Sequence, residues 1–211
     1  NFVEDRFVNQ LATSVSTRSP NTETSITDWV FQEDDKNPSV PLPSRIFNSA
    51  MLTEGKFAWL GHSTLLMKIN SVVMMTDPVF HRASPVPVMG SPFPVQHPVS
   101  IDDLPAVDAV IISHDHYDHL DHKAVRWLAD LVKHFFVPLG VKAHLVRWDV
   151  DPNAITEMDW YESEMHRNVQ FTLAPARHFS GRGLWDRNAT LWGSWIVSSD
   201  ALNVYFSGDT G

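Results

Sequence analysis

The chain has 211 residues, of which 43% are hydrophobic and 11% aromatic, so it can bury the core of one domain and is not disordered by composition. A net charge of -9 argues against non-specific nucleic-acid binding, which draws on clustered lysines and arginines. The chain has no cysteine, which excludes disulfides and thiolate ligands and suits a reducing compartment, so we expect a cytoplasmic location.

The sequence carries no strong membrane or export signal. No apolar run is long enough to cross a bilayer, and residues 1–6 lack the basic start and apolar core of a signal peptide. Because the first residue is Asn1 rather than methionine, the removal of a leader by processing is an alternative that the sequence leaves open. We therefore expect at most peripheral contact with a membrane.

Residues 1–53 are mixed and polar, and we expect them to form an extension that wraps a domain of residues 54–211. A Ser/Thr-rich part covers residues 13–25, and an acidic group follows at residues 33–35. Trp29 and Phe31 could anchor one apolar contact. The alternative is a partly ordered leader with no role in chemistry.

The pattern of residues 57–76 predicts a β-hairpin, with its turn at Asn70 and Ser71. His62 interrupts the first strand, where it is either a structural hydrogen-bonding residue or a residue on the substrate side. Asp77 closes the second strand because Pro78 follows it. Taken alone, Asp77 is equally an ordinary turn aspartate.

Residues 84–98 contain five prolines, which excludes a regular element. Met89, Phe93 and Val95 give this segment an apolar surface. We expect either a loop that borders a substrate groove or an inert surface loop.

The centre of the sequence is an apolar run, residues 106–112, that reads as a buried strand and stops at a cluster of histidines and aspartates. Imidazole and carboxylate ligands without thiolate suit zinc, and also manganese or iron. A solvated polar loop is the alternative. A metal site is favoured because several ligand types follow the strand directly: His114, His116, Asp118 and His119.

Helices and strands alternate after this cluster, which predicts a sheet covered by helices. Residues 123–132 have helical spacing, with Ala124, Trp127, Leu128 and Leu131 on one face. Residues 135–139 read as a strand, Gly140 as a break and residues 141–148 as a short helix. Two further strands are expected at residues 155–160 and 169–173.

The last part of the chain supplies more polar residues at strand ends. His178 follows one strand as a candidate third ligand, and Arg177, Arg182 and Arg187 near it are a plausible place to meet a phosphate. Residues 191–199 and 202–206 predict a final hairpin, after which Asp209 lies between glycines. Tryptophans in this region read as core or rim aromatics: Trp185, Trp192 and Trp195.

Residues 113–119, Ser-His-Asp-His-Tyr-Asp-His, resemble the central motif of the metallo-β-lactamase-fold hydrolases. The motifs at residues 59–64, 77–85 and 191–195 resemble the branch that contains N-acylphosphatidylethanolamine-hydrolysing phospholipase D and its bacterial relatives. The resemblance implies a mixed α/β (α+β) fold, a metallo-β-lactamase-like αββα sandwich. Because the resembling enzymes continue with a further histidine and a second half, we expect only the N-terminal part here.

The resemblance also implies roles for individual residues. It assigns His114, His116 and His178 to one metal, Asp118 and His119 to a second, and Asp209 to a bridging carboxylate. Asp77 would orient a ligand histidine. Four further roles are expected from the sequence rather than from the resemblance: Asp115 orders water or shuttles a proton, and three residues lie on the substrate side, namely His62, Arg182 and Arg187.

The function expected from this resemblance is hydrolysis of a phosphodiester by a hydroxide that two zinc ions activate, with an N-acylphosphatidylethanolamine-type lipid as a possible substrate. A lactonase or carboxyl-ester hydrolase is the alternative within the fold. A non-catalytic fragment that contributes half of a composite site is the alternative from another class. The expected partners are an anionic small molecule or lipid, and a second polypeptide that completes the fold.

Overall fold

The structure, a computed structural model, describes residues 1–13, 38–85 and 90–210. The expected anchors Trp29 and Phe31, the acidic group at 33–35 and Met89 lie outside these ranges, as does most of the Ser/Thr-rich part. The strands of the described residues are β1 Phe2–Val3, β2 Arg6–Phe7, β3 Phe57–Gly61, β4 Thr64–Ile69, β5 Val72–Thr76, β6 Ala109–Ile111, β7 Phe135–Pro138, β8 Ile155–Met158, β9 Ser163–His166, β10 Val169–Ala174, β11 Ser194–Ser198 and β12 Asn203–Phe206. The α-helices are α1 His122–Leu128 and α2 Lys142–Arg147, and 3-10 turns occur at Ser49–Met51, Ile101–Asp103 and Pro152–Ala154.

The main sheet has six strands in the order β3-β4-β5-β6-β7-β8. Strands β3, β4 and β5 pair antiparallel, as a chain with tight turns requires, whereas β5 to β8 pair parallel. Helices α1 and α2 lie in the crossovers between the parallel strands. Because parallel strands are covered on both faces, β7 is a continuous apolar run, and all four of its residues are buried.

The second sheet is antiparallel, with the order β12-β11-β10-β9. Alternate residues of the main sheet face it: Met67, Met74 and Phe136 share one core with Phe171 and Trp195. The ring centroids of Phe136 and Phe171 are stacked 4.6 Å apart.

The intervening residues of the main-sheet strands face the helices. Leu66, Met75 and Phe135 share a second core with Val125 of α1 and Leu145 of α2. The described residues therefore form three layers, a helical layer and two sheets, which is the αββ part of the expected αββα sandwich.

The sequence predicted most strand positions, but two expectations were wrong in detail and one strand was missed. Residues 57–69 are two strands because the chain turns at His62, where φ is 46°. Helix α1 ends at Leu128, and Trp127 is 51% exposed rather than packed on the sheet; Val125 occupies the buried face instead. Strand β9 was missed because its residues are mostly exposed and polar and show no apolar alternation.

The tryptophans of the C-terminal part divide between the core and the surface. Trp192 and Trp195 are buried in the core between the sheets, whereas Trp185 is 87% exposed. The boundary at residue 53 stays a prediction, although residues 1–13 do contact the domain: Phe7 donates its backbone N–H to Asn188 O. Among the described residues, no helix has the length and apolarity that a membrane span needs.

Candidate metal centre

The predicted ligands and Asp77 meet at one edge of the two sheets because the segments that carry them follow strands that end there. Asp77 follows β5, and His114 lies shortly after β6, the parallel neighbour of β5. The second sheet is held against this edge: Trp195 Nε1 donates to Ile112 O at 2.8 Å, and Gly193 N donates to Ser113 O at 2.9 Å.

The first group of ligand atoms comes from His114, His116 and His178 and fits one metal ion. His114 Nε2 lies 2.8 Å from His116 Nδ1, which lies 3.2 Å from His178 Nε2. Two imidazole nitrogens on a tetrahedral zinc ion, each about 2.0–2.1 Å from it, are about 3.3 Å apart. The three rings are therefore spaced as a metal would need them, with small relaxation at the closer pair.

A second group shares His114 and adds His119 and Asp209. His119 Nε2 lies 3.2 Å from Asp209 Oδ1 and 3.8 Å from Asp118 Oδ2. Asp209 Oδ2 also lies 3.8 Å from His178 Nε2, so this carboxylate lies between the two groups. The geometry brings together all six predicted ligands, and their assignment as ligands stays a prediction.

Asp77 holds the ring of His119. Its carboxylate is fully buried, Oδ2 lies 2.7 Å from His119 Nδ1, and Oδ1 accepts the backbone N–H of Ser113 at 2.7 Å. This contact leaves His119 Nε2 as the nitrogen that faces Asp209, the arrangement in which an outer carboxylate orients a metal-binding imidazole. The contact expected for Asp77 is thus present.

Sequence reasoning missed Ser113. Its hydroxyl lies 2.5 Å from Asp77 Oδ2, 2.9 Å from His114 Nδ1 and 3.4 Å from His119 Nδ1. It therefore connects the rings of both ligand groups to one buried carboxylate. Its position directly after the apolar strand was the available signal, but a single serine there has many other uses.

The electrostatics favour neutral imidazoles in the first group. Burial, together with the neighbouring histidines, lowers the pKa of His114 well below its usual range. Burial likewise lowers the pKa of His116, and burial beside His116 lowers the pKa of His178 to about 4. Near neutral pH these rings are unprotonated and can donate lone pairs to a cation.

His119 differs because two carboxylates contact it. Burial alone would lower its pKa, but hydrogen bonds with Asp209 and Asp77 outweigh burial and raise the pKa to about 10. The same hydrogen bond with His119 lowers the pKa of Asp209. A metal ion at His119 Nε2 would replace the proton on that nitrogen. The ion would then supply the positive charge between the carboxylates of Asp77 and Asp209.

Asp115 has protein partners for both of its oxygens. It is 1% exposed, Oδ1 accepts from Gly181 N at 2.7 Å, and Oδ2 lies 3.4 Å from His144 Nε2. These contacts join the ligand loop to the loop after His178. A role in ordering water or moving a proton stays a prediction, and His144 was not anticipated as its partner.

The two candidate phosphate-binding arginines have different surroundings. Arg182 Nη1 donates to Asp115 O at 2.6 Å and to Leu120 O at 2.8 Å, so this side chain fixes the two ends of the ligand loop. Arg187 is exposed, with its guanidinium 4.6 Å from the ring of Phe179. Contact of either with a substrate stays a prediction.

His62 lies beside the second group. Its Nε2 is 3.8 Å from Asp118 Oδ2, and it lines a cavity with Trp59, Phe93 and Asp209. Burial alone would raise the pKa of Asp118, but the nearby imidazoles of His62 and His119 outweigh burial and lower it. A place on the substrate side stays a prediction for His62.

The N-terminal extension contributes one contact that the sequence did not reveal. Asn9 Nδ2 donates to His178 O at 2.8 Å, and His178 N donates to Asn9 Oδ1 at 3.3 Å. This amide pair fixes the backbone of a predicted ligand across 169 positions of sequence.

Comparison with known proteins agrees with this geometry. The profile of the beta-lactamase superfamily domain matches residues 74–211, which contain all the predicted ligands. The chain belongs to the beta-lactamase superfamily. The matched residues also include both groups of candidate ligands.

Two curated relatives and one solved structure illustrate the similarity. An uncharacterized protein of Mycobacterium tuberculosis is 43% identical over 188 residues, which cover 87% of this chain and 50% of that protein. N-acyl-phosphatidylethanolamine-hydrolyzing phospholipase D 1 of Caenorhabditis elegans is 40% identical over 169 residues, 74% of this chain and 47% of that protein. The chain thus spans about half the length of these curated relatives.

The solved structure is Igni18, a metallo hydrolase from the archaeon Ignicoccus hospitalis. It matches with a TM-score of 0.53 and 20% sequence identity over 74% of this chain and 60% of that chain. At this identity the match shows the fold alone, and it agrees with the metallo-β-lactamase-like sandwich expected from the motifs.

Proposed function

We propose that the protein containing this chain is a zinc-dependent hydrolase of a phosphodiester, with an N-acylphosphatidylethanolamine-type lipid as substrate. The observation that carries the proposal is the convergence of the candidate ligands in two overlapping groups, with the Asp209 carboxylate 3.2 Å from His119 Nε2 and 3.8 Å from His178 Nε2. The C. elegans relative, whose name states hydrolysis of N-acyl-phosphatidylethanolamine, supports the substrate class. The chain spans about half of that relative, so the activity is proposed for the whole protein.

In this proposal His114, His116 and His178 hold one ion, and Asp118, His119 and Asp209 hold a second. Bound metal would supply Lewis acidity, which activates water and neutralises charge on phosphoryl oxygens. The protein side chains set the geometry: Asp77 and Ser113 fix the His114 and His119 rings, and Asn9 fixes the backbone of His178.

A lipid substrate is supported by an apolar groove beside the centre. The groove has a volume of about 480 Å³ and is lined by side chains from strand β3 and the N-terminal extension, including Ile46, Met51 and Phe57. Trp59 lines both this groove and the cavity that holds Asp209, so the two are adjacent. We infer that an acyl chain lies in the groove while the phosphodiester lies at Asp209 and His119.

At the polar end of the cavity, bound metal would supply the positive charge for an anionic head group, because the lining itself includes the carboxylates of Asp118 and Asp209. Asp209 is partly exposed, and His62 and Ser63 line the cavity next to it. Ser63 Oγ donates to Asp118 O at 2.8 Å, which fixes the loop on the open side. These groups surround the position where the scissile phosphate would lie.

The test is a substrate panel with zinc-loaded protein of measured metal content. We expect cleavage of N-acylphosphatidylethanolamine in mixed micelles and, more slowly, of bis(4-nitrophenyl) phosphate, with little cleavage of a lactone. A preparation that holds two metals and cleaves no phosphodiester contradicts the proposal. Faster cleavage of the lactone would favour the carboxyl-ester alternative.

The groove has its own test. Ile46→Ser and Met51→Ser change side chains that are 73% and 59% exposed, so the fold should tolerate them. We expect each to raise the KM for the lipid and to leave the KM for bis(4-nitrophenyl) phosphate unchanged. Val146→Ser on helix α2, 41% exposed, is the matched control. Equal effects on both substrates would mean that the groove does not hold the acyl chain.

A further inference from the structure

A second cavity lies next to the metal centre and has a different character. Its volume is about 510 Å³, and its lining includes Arg82, Lys123, Arg182, Tyr117 and Trp148; we call it the basic pocket. Tyr117 and Arg182 also line a smaller cavity that contains His116 and Asp118. The basic pocket is therefore separated from the predicted ligands by one layer of side chains.

The charge in the basic pocket is positive although the whole chain carries -9. Three cationic side chains face it, and the carboxylate in its lining, Asp121, is already used by the protein. Asp121 accepts the backbone N–H groups of Phe80, His81 and Lys123. With three cationic side chains and one carboxylate, the lining keeps a net positive charge.

The arginines of the pocket are held in place and retain free donors. The guanidinium of Arg182 lies 4.0 Å from the ring of Tyr117 and 5.2 Å from the ring of Trp148, and its Nη1 makes both backbone hydrogen bonds already described. Arg82 donates through Nη2 to Pro85 O, whereas its Nε is buried and has no partner among the described residues. These hydrogen bonds use only part of the five N–H donors of each guanidinium, so donors remain for an anion in the pocket.

We propose that the basic pocket binds a phosphate group at a position separate from the metal centre. Arginine matches phosphate through paired N–H donors, and a nearby lysine adds a point charge. The aromatic walls, Tyr117 and Trp148, leave room for an organic part of the ligand. The phosphate comes either from solution or from a lipid head group other than the one at the metals, and the experiment separates these sources.

A phosphate bound to Arg182 would also affect the loop that carries the predicted ligands. The hydrogen bonds of Arg182 hold the carbonyls of Asp115 and Leu120, which flank His116, Asp118 and His119. A phosphate bound to Arg182 fixes this side chain further and so stabilises the loop that carries these predicted ligands. Phosphate should therefore raise the melting temperature of the protein.

The experiment titrates inorganic phosphate into zinc-loaded and chelator-treated protein by calorimetry. We expect a binding event that survives metal removal, weakens at least about tenfold in Arg82→Gln/Lys123→Gln, and is unchanged in Arg126→Gln. Arg126 lies on the same helix as Lys123, is exposed and pairs with Asp149, so it controls for loss of charge. Equal affinity in the wild type and the double variant, or loss of all binding with the metal, overturns the proposal.

Two further arms keep the result decisive. If the double variant does not fold, Lys123→Gln alone is used, because Lys123 is exposed, and unchanged phosphate affinity in it overturns the proposal. Short-chain phosphatidic acid is compared with phosphatidylcholine of the same chain length. Competition by phosphatidic acid alone assigns the site to lipid head groups, and no competition assigns it to free phosphate. None of these readouts requires phosphodiester hydrolysis, so the pocket and the proposed function can fail separately.

Discussion

Substitution of Asp77 by asparagine isolates the orientation of His119 from the packing around it. The two side chains have nearly the same shape, and Asp77 has a φ of 30°, a backbone conformation that asparagine accepts better than most residues. Three donors converge on the carboxylate, namely Ser113 N, Ser113 Oγ and His119 Nδ1. An asparagine offers one acceptor oxygen, so one of its sides must present N–H groups to a donor.

The expected magnitude follows from that mismatch. Either a buried donor loses its acceptor, at a cost of about 1–3 kcal/mol, or His119 moves its proton to Nε2. A proton on Nε2 removes the lone pair that would face the metal, and loss of such an orienting carboxylate typically weakens metal binding about 10–100-fold. For a chain of this size, each kcal/mol lowers the melting temperature by about 2–4 °C.

The assay is competition with a chromogenic chelator while zinc is counted, together with thermal unfolding with and without chelator. We expect Asp77→Asn to weaken the ion beside His119 and Asp209 more than the ion at the other group. Asp200→Asn, in an exposed turn between β11 and β12, is the matched control and should behave as the wild type. Retention of both ions with wild-type affinity by a folded Asp77→Asn protein would refute the reasoning.

Three other substitutions test separate parts of the structure. His116→Ala should remove most metal and all activity, because its Nδ1 faces both His114 and His178; unchanged zinc by elemental analysis would contradict the site. Arg182→Gln should destabilise the fold by about 1–3 kcal/mol through the lost backbone hydrogen bonds, whereas a higher KM without loss of stability would assign it to substrate binding. Asp108→Asn tests a carboxylate that should stabilise the fold only when it is ionised. Burial alone would raise the pKa of Asp108, but the hydrogen bonds from Lys133 and Val73 outweigh burial and lower this pKa. The stabilisation is complete above the pKa of Asp108 in the unfolded chain, about 4, and is lost as the pH falls through its lower pKa in the folded protein. The difference in melting temperature between the wild type and Asp108→Asn should therefore narrow below about pH 4, and a constant difference contradicts this.

The sequence predicted the features that depend on local pattern. The parallel strand before His114 is a buried apolar run, and its end places the polar cluster at a sheet edge, as expected. The last hairpin is likewise visible from its two apolar runs and the turn at Asp200. These elements carry their own period of hydrophobicity, so no distant contact is needed to recognise them.

The parts that failed depend on distant partners. Strand β9 is exposed and polar, and it forms because β10 pairs with it antiparallel. The Asn9 contact with His178 and the His144 contact with Asp115 join residues that no local spacing relates. Trp127 was assigned to the buried face by helical spacing, but it lies against Lys123 and His81 at the surface.

The central claim is that the histidines and aspartates at the sheet edge form a metal centre, and anomalous X-ray scattering from a zinc-loaded crystal tests it most directly. We predict a strong peak among His114 Nε2, His116 Nδ1 and His178 Nε2, and a second peak among Asp118, His119 and Asp209. Protein that contains zinc by elemental analysis, but shows no anomalous peak at either position, would contradict the account.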